Sequence, residues 1–94
     1  MPVEFEWDAE KARRNVRKHG IAFDDAATAF YDVRSLTIQD PEHSTDESRY
    51  LLIGTTSKGR IVVVAHTDRG HRIRIISARR ANRRERTDYE KSGI

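Results

Sequence analysis

Residues 73–86 read IRIISARRANRRER, and this stretch decides how the C-terminal half of the chain folds. Its first residues are apolar and mostly β-branched, which is typical of a strand, and Ser77 follows as a good N-cap residue for a helix. The sequence therefore predicts a strand that ends at Ser77 and a strongly basic helix that begins there. Because a helix N-terminus carries unpaired N–H groups and partial positive charge, we expect this junction to bind an anion such as phosphate.

Five arginines follow the serine: Arg79, Arg80, Arg83, Arg84 and Arg86. On a helix they spread over more than one face, so they cannot all contact one ligand. The pattern fits a nucleic-acid-binding face, and it equally fits a basic helix face that contacts only water.

The net charge differs between the two halves of the chain. Residues 1–57 contain 7 Lys and Arg against 11 Asp and Glu, a net charge of −4, whereas residues 58–94 contain 11 against 4, a net charge of +7, for a total of +3. Since a basic surface attracts phosphate backbones, the C-terminal half is the predicted nucleic-acid-binding half. The acidic N-terminal half would avoid nucleic acid or meet a basic partner.

The sequence contains no cysteine, which excludes disulfide bonds, thiol nucleophiles and cysteine-based zinc sites. The four histidines are 24, 23 and 5 residues apart, which matches no spacing of metal ligands. We therefore expect neither a metal nor another cofactor. The N-terminus is acidic and no apolar run approaches the length of a membrane span, so the sequence predicts a cytoplasmic protein that contacts no membrane.

Hydrophobic periodicity predicts one strand, two helices, four further strands and a C-terminal helix, in that order. The predicted boundaries are a strand over Val3–Trp7, a helix from its cap Asp8 to His19 and Gly20, a helix over Ile21–Tyr31, strands over Leu36–Gln39, Arg49–Thr55, Arg60–Thr67 and His71–Ser77, and the basic helix after Ser77. A polar loop over Asp40–Glu47 follows the first of the four later strands.

Short connections between the last four strands favour an antiparallel meander, which the helices must cover. The predicted core residues of the meander are Val62, Val63, Val64, Ile73 and Ile75. The predicted fold is therefore α+β, a small antiparallel β-sheet of about four strands plus a short N-terminal strand, packed with two N-terminal helices and one C-terminal helix. No repeat, low-complexity tract or Gly/Ser linker interrupts the chain, so residues 1–94 are predicted to form a single domain.

Several separated segments resemble the BrnT toxin family, and they occur in the family's order. They are FEWD at residues 5–8, KHGI at 18–21, His43 and Ser44 through Glu47 and Arg49, Ile53 and Gly54 through Gly59 and Arg60, and IRIISAR at 73–79. The resemblance extends from Val3 to about Tyr89.

BrnT toxins are the ribonuclease halves of bacterial type II toxin–antitoxin pairs. The resemblance implies a RelE-like fold and RNA cleavage without a metal, which would inhibit translation. It also implies neutralisation by a BrnA-type antitoxin that binds operator DNA and represses the shared operon. This chain would then reach operator DNA only within the antitoxin complex, in which a homodimer is also expected.

Cleavage of RNA without a metal needs a base for the 2′-OH, positive charge near the phosphorus and an acid for the leaving oxygen. Arg74 and Arg79 are predicted to supply the charge as bidentate donors to one phosphate, and Arg60 heads a neighbouring strand. Each has an ordinary alternative. Arg74 and Arg79 would be outward residues paired with nearby acids, and Arg60 would be a solvated hairpin residue.

Glu47 is the predicted base and His19 the predicted acid, because both groups transfer protons near neutral pH once their environment shifts the pKa. The alternative for Glu47 is a loop carboxylate paired with Arg49, and for His19 a cation at a helix C-terminus. His66 ranks third, because it shares strand parity with Arg60, and its alternative is a half-buried packing histidine.

Contacts with the rest of the RNA are assigned to Lys18, His66, Arg80, Arg83 and Arg84. Two other classes of function remain open: a non-catalytic nucleic-acid-binding regulator, and an interaction module whose acidic first half binds a basic partner. An enzyme needs Glu47 or a histidine beside the arginines, whereas a binding protein loses affinity gradually as arginines are removed.

Overall fold

A five-stranded sheet forms the centre of the fold. The computed structural model describes residues 3–40, 42 and 48–92. Its elements are β1 (Glu4–Glu6), α1 (Ala9–His19), α2 (Phe23–Thr28), a 3-10 turn (Ala29–Tyr31), β2 (Leu36–Gln39), β3 (Arg49–Thr55), β4 (Ile61–Arg69), β5 (Arg72–Arg80) and α3 (Arg83–Ser92). This architecture confirms the predicted α+β fold.

The first strand makes the sheet mixed, whereas the sequence predicts an antiparallel one. The spatial order is β1-β5-β4-β3-β2, and β1 pairs in parallel with β5, with Glu6 opposite Arg74. Strands β2 to β5 form the predicted antiparallel meander. Helices α1 and α2 connect β1 at one edge of the sheet to β2 at the opposite edge, and no hairpin joins β1 to β5, which allows these two strands to pair in parallel.

The predicted helix start at Ser77 is wrong. Strand β5 continues through Ala78 and Arg79 to Arg80, which pairs with Val62 of β4. Helix α3 begins later, where Asn82 and Glu85 exchange two hydrogen bonds of 2.8 Å, each side chain accepting from the other residue's backbone N–H. This reciprocal pair is a capping box, which stabilises a helix start better than a lone serine followed by arginines.

Helices cover both faces of the sheet, so its apolar side chains divide into two clusters. Helices α1 and α2 lie over one face, whose cluster includes Ile21, Phe23, Val62, Val64 and Ile75. On the other face, called the α3 face below, Tyr89 packs over Ile53 and Val63. Four of the five predicted core residues are buried, and Ile73 is half-buried.

A β-bulge in β5 sets which of its side chains reach the α3 face. Ala65 of β4 pairs with Ser77, but the next residue, His66, pairs with Ile75, so Ile76 is the extra residue. Five positions separate Arg74 from Arg79, which in a regular strand would place them on opposite faces. The bulge instead brings both arginines to the α3 face, together with Ser77.

Asn15 joins α1 to the edge of β5 beyond the reach of β1. Its side-chain amide accepts from the Ala78 N–H at 3.1 Å and donates to the Ala78 carbonyl at 2.8 Å. The same Nδ2 donates to the Ile21 carbonyl at 2.8 Å. The side chain therefore substitutes for a neighbouring strand, which satisfies backbone groups that would otherwise be buried without partners.

We expect Asn15→Asp to lower the free energy of unfolding by about 3 kcal/mol, because a carboxylate of the same shape cannot donate to the two carbonyls. Urea denaturation of the purified variants measures the change. Arg17→Ala, on the exposed side of α1, is the control and should change stability by no more than about 0.5 kcal/mol. Equal stability of Asn15→Asp and the parent would contradict this role.

Candidate active site

A groove of about 580 Å³ crosses the α3 face of the sheet between β2 and β5. Its floor is apolar and consists of Ile38, Leu51, Ala65 and Ile76. Polar side chains surround the floor: Asp40, Glu42, Arg49, Ser77 and Arg79. An apolar floor beneath a few polar groups that include two guanidiniums suits a ligand with both flat ring faces and anionic groups.

Arg79 lines this groove and is held there by Glu85 of α3. Its Nη1 and Nη2 atoms each donate to one carboxylate oxygen of Glu85 at 2.8 Å. This hydrogen-bonded pairing lowers the pKa of Glu85 and raises that of Arg79, so both groups remain charged. A third, longer contact joins Nη1 to the Arg80 carbonyl at 3.4 Å.

The pairing with Glu85 occupies only the outer edge of the Arg79 guanidinium. Arginine has five N–H donors, and its side edge, formed by Nε and one N–H of Nη2, can bind a second bidentate acceptor. Among the described residues no acceptor bonds to that side edge. Arg79 is therefore fixed in position, with its side edge open to a further acceptor.

We expect Glu85→Gln to lower the free energy of unfolding by about 1 kcal/mol, because the variant loses the charged pair with Arg79 and weakens the cap at Asn82. Chemical denaturation measures the change. Glu90→Gln, at an exposed position of the same helix, is the matched control and should leave stability within about 0.5 kcal/mol of the parent. Similar losses in both variants would mean that only the charge of the helix matters.

Helix α3 is anchored over the α3 face at its other end by Tyr89. The Tyr89 hydroxyl donates to the Asp32 carboxylate and lies 2.8 Å from the Thr55 hydroxyl. The same Asp32 oxygen accepts from the Thr55 backbone N–H at 2.8 Å. Partial burial and the Asp32 carboxylate raise the pKa of Tyr89, which keeps it a hydrogen-bond donor. The position of Glu85 beside Arg79 therefore rests on a helix fixed near both ends.

Asp40 and Arg49 contribute to the groove from β2 and β3. The Asp40 backbone N–H donates to the Arg49 carbonyl at 2.8 Å, which extends the β2–β3 pairing by one residue. The Asp40 side chain is buried and accepts from the Glu42 N–H at 3.0 Å. Sequence reasoning treated Asp40 as the start of a loop and missed it. Its spacing of two from Ile38 was the available signal, because it puts both side chains on one face.

Of the arginines predicted to bind a phosphate, only Arg79 lines the groove. Arg74 also lies on the α3 face, but its Nη1 donates to Glu6 of β1 at 2.8 Å, and this bond lowers the pKa of Glu6. That arrangement matches its ordinary alternative, an ion pair with a neighbouring strand. Arg60 donates to the Gly20 carbonyl at 3.1 Å and lines a separate cavity with Arg80.

The predicted proton-transfer residues are not brought together among the described residues. Glu47, the predicted base, lies outside the part of the chain that the structure describes. His19, the predicted acid, is the last residue of α1 and lines a cleft with Lys18. This cleft has a volume of about 240 Å³ and shares Ile76 and Ser77 with the groove. His19 is therefore near the groove but across the edge of β5 from it.

The other residues predicted to bind RNA do not line the groove. Arg83 and Arg84 are exposed in the first turn of α3. Arg80 is exposed on β5 and, because side chains alternate along a strand, lies on the face opposite Arg79. Their roles in RNA binding stay predictions.

His66 is packed inside the protein. It is 5% exposed, and its ring lies edge-on to Phe30 at 4.8 Å between centroids and tilted against Tyr50 at 5.8 Å. Burial lowers its pKa below the ordinary value of 6.5, so the ring is neutral at neutral pH. This environment favours the packing alternative for His66, and its contact with RNA stays a prediction.

The buried His66 should make stability depend on pH. Because folding lowers the pKa of His66, the unfolded chain binds more protons than the folded protein below pH 6.5. The contribution of His66 to stability is therefore complete above pH 6.5 and is lost as the pH falls below that value. We expect the free energy of unfolding of the parent to fall in this range more steeply than that of His66→Phe, by up to about 1.4 kcal/mol per pH unit. Denaturant titrations at several pH values measure both slopes, and parallel slopes would contradict the assignment.

Comparison with known proteins identifies the family of this chain. Residues 7–85 match the family model described as the ribonuclease toxin, BrnT, of type II toxin–antitoxin systems. The chain belongs to this BrnT family. A crystal structure of the Brucella abortus ribonuclease toxin, BrnT, superposes with a TM-score of 0.63 at 24% sequence identity and covers 87% of this chain and 100% of the other, which supports the fold. No curated protein sequence matches the chain.

The described residues contain neither a candidate metal cluster nor a candidate membrane span. Within residues 3–40, 42 and 48–92, no group of three or more His, Cys, Asp or Glu side chains is placed to hold a metal ion. The same part of the chain contains no helix that is long and apolar enough to cross a membrane.

Proposed function

We propose that this BrnT family member is an endoribonuclease that cleaves RNA in the groove of the α3 face without a metal ion. The observation that carries the proposal is the state of Arg79. Glu85 fixes one edge of its guanidinium, the side edge has no acceptor among the described residues, and the residue lines a groove of about 580 Å³. A positioned guanidinium of this kind binds a phosphodiester and stabilises the charge that develops on it.

The proposed reaction uses groups that line the groove and one from the adjoining cleft. A base removes the proton of a 2′-OH, the freed oxygen bonds to the adjacent phosphorus, and the 5′-oxygen leaves with a proton from an acid, which yields a 2′,3′-cyclic phosphate. Arg79 and Arg49 supply positive charge for the phosphorane, so the proposal needs no cation from solution. The carboxylate of Asp40 lines the groove and is a candidate base beside Glu47, which stands two residues before Arg49.

His19 remains the proposed acid. It lines the cleft that adjoins the groove at Ser77, so a leaving oxygen near Ser77 would be close to both cavities.

The proposal includes an antitoxin of the BrnA type as the partner that neutralises the toxin. Membership of a type II toxin–antitoxin family implies an antitoxin. Covering the groove would block access to Arg79 and Arg49 and so would suffice for inhibition. Contact with operator DNA is proposed only for the complex with the antitoxin, and a cytoplasmic location follows from a substrate that is cellular RNA.

The test is cleavage of an end-labelled RNA by the antitoxin-free protein in excess chelator. We expect Arg79→Ala to reduce the rate by about 100-fold or more, because it removes a donor aimed at developing charge. Arg79→Lys should recover only part of the rate, because a lysine keeps the charge but cannot bind in bidentate fashion. Lys91→Ala, which removes an exposed cation from α3, is the control and should cleave like the parent.

Three outcomes would contradict the proposal. The first is full cleavage by a folded Arg79→Ala protein. The second is equal cleavage of an RNA with 2′-deoxyribose at the scissile position, because that substrate lacks the attacking hydroxyl. The third is tight RNA binding by the parent without any cleavage, which would favour a non-catalytic regulator that binds RNA through the exposed arginines of α3.

A further inference from the structure

The edge of β5 separates two cavities that are both lined in part by cationic side chains. Strand β1 pairs with β5 only from Arg72 to Arg74, so beyond that point β1 does not cover the edge. Helix α1 lies there instead and is joined to Ala78 by Asn15. On one side of this edge lies the groove, and on the other lies the cleft of about 240 Å³, and Ile76 and Ser77 line both.

The cleft is lined by cations from one face of α1. Lys11, Arg14 and Lys18 are three and four residues apart, so they form one stripe along the helix. The stripe extends about 10 Å, at a rise of 1.5 Å per residue. Among the described residues, no carboxylate lines the cleft, and the stripe forms an ion pair between Arg14 Nε and Glu10 Oε1 at 4.0 Å.

Other cations of α1 lie on the opposite side of the helix. Arg13 forms an ion pair with Glu10 and lines a different cavity with Trp7 and Val16. Arg17 is exposed, one turn after Arg13. The helix therefore carries one set of three cations that lines the cleft and a second set of two, Arg13 and Arg17, that does not.

We propose that a single-stranded RNA bound in the groove crosses β5 at Ser77 and continues into the cleft, where Lys11, Arg14 and Lys18 bind the following phosphates. The proposal rests on the proposed function and extends it by naming the path of the substrate beyond the reaction centre. A single strand is the substrate class because it can bend over the edge of one β-strand and present its backbone to both cavities. Ser77, with a small side chain that bears a hydroxyl, lines both cavities at the crossing point.

The alternative is that the stripe is a solvated face that raises affinity only through net charge. Net charge attracts RNA from any direction, so Arg13 and Arg17 would then contribute as much as Lys11 and Lys18. A bound strand instead contacts only the set that lines the cleft, so substitutions in that set weaken binding more than substitutions of Arg13 and Arg17. It also makes the contribution of the cleft depend on the length of the RNA.

The experiment compares two double variants of equal charge, Lys11→Gln with Lys18→Gln, and Arg13→Gln with Arg17→Gln. Binding is measured by fluorescence anisotropy with 2′-O-methyl oligonucleotides, which cannot undergo attack by the 2′-OH. One probe has about 3 nucleotides and fills the groove alone, and the other has about 12 nucleotides and reaches the cleft. Each titration is repeated over a range of salt concentrations.

We expect the Lys11 and Lys18 pair of substitutions to weaken binding of the longer probe by about tenfold or more and to reduce its salt slope by about 1.4, as expected for two lost phosphate contacts. Binding of the shorter probe should be unchanged. The Arg13 and Arg17 pair should affect both probes weakly and to the same extent.

Equal losses in the two double variants, or a loss from Lys11 and Lys18 that is the same for both probes, would overturn the strand path. Cleavage by the parent, measured on ordinary RNA in chelator, distinguishes a failure of the path through the cleft from a failure of the proposed function. A parent that cleaves RNA while the double variants do not differ contradicts only the path through the cleft. A parent that neither binds nor cleaves RNA contradicts the proposed function as well.

Discussion

The position of α1 against the unpaired edge of β5 depends on one side chain, Asn15. Its amide satisfies both backbone groups of Ala78 as a neighbouring strand would, and it also bonds to Ile21 at the end of α1. An edge strand that continues past its neighbour normally exposes unpaired backbone groups. Here the polar contact closes the edge, and it brings the cationic stripe of α1 next to the groove on the α3 face.

The charged residues are distributed differently in the folded protein than along the sequence, because β1 pairs with β5. The N-terminal half is acidic and the C-terminal half basic, but β1 lies in parallel beside β5. Glu4 and Glu6 are therefore close to Arg72 and Arg74, and they neutralise the first part of β5. Arg79 lies farther along the strand, where β1 does not reach. It pairs with Glu85 through one edge of its guanidinium, and among the described residues no acceptor bonds to the other edge.

Local signals in the sequence predicted most of the fold. Asp8 caps α1, Gly20 ends it in a left-handed conformation, and the boundaries of β2 and β3 agree with the alternation of apolar residues. The start of α3 was wrong because Ser77 looked like a cap, whereas backbone pairing with β4 extends the strand. The signal for the correct start was the Asn82 and Glu85 spacing of a capping box.

The candidate site was only partly predictable, because its members are brought together by pairing between distant segments. Arg79 was found from its basic context, but the bulge at Ile76 that orients it leaves no clear mark in the sequence. Asp40 was missed because it follows a short strand and precedes a proline in a polar loop. His66 has the strand parity of a surface candidate, and only the packing of Phe30 and Tyr50 shows that its ring is buried.

The central claim is that RNA occupies the groove of the α3 face and contacts Arg79 there. The most direct measurement is the change in backbone amide chemical shifts when a 2′-O-methyl oligonucleotide is added to the isotopically labelled protein. If RNA binds in the groove, we expect the largest changes at Arg49, Ser77 and Arg79, which line it. Changes confined to Arg83, Arg84 and Arg86 would contradict it, because RNA would then bind the exposed start of α3 and not the groove.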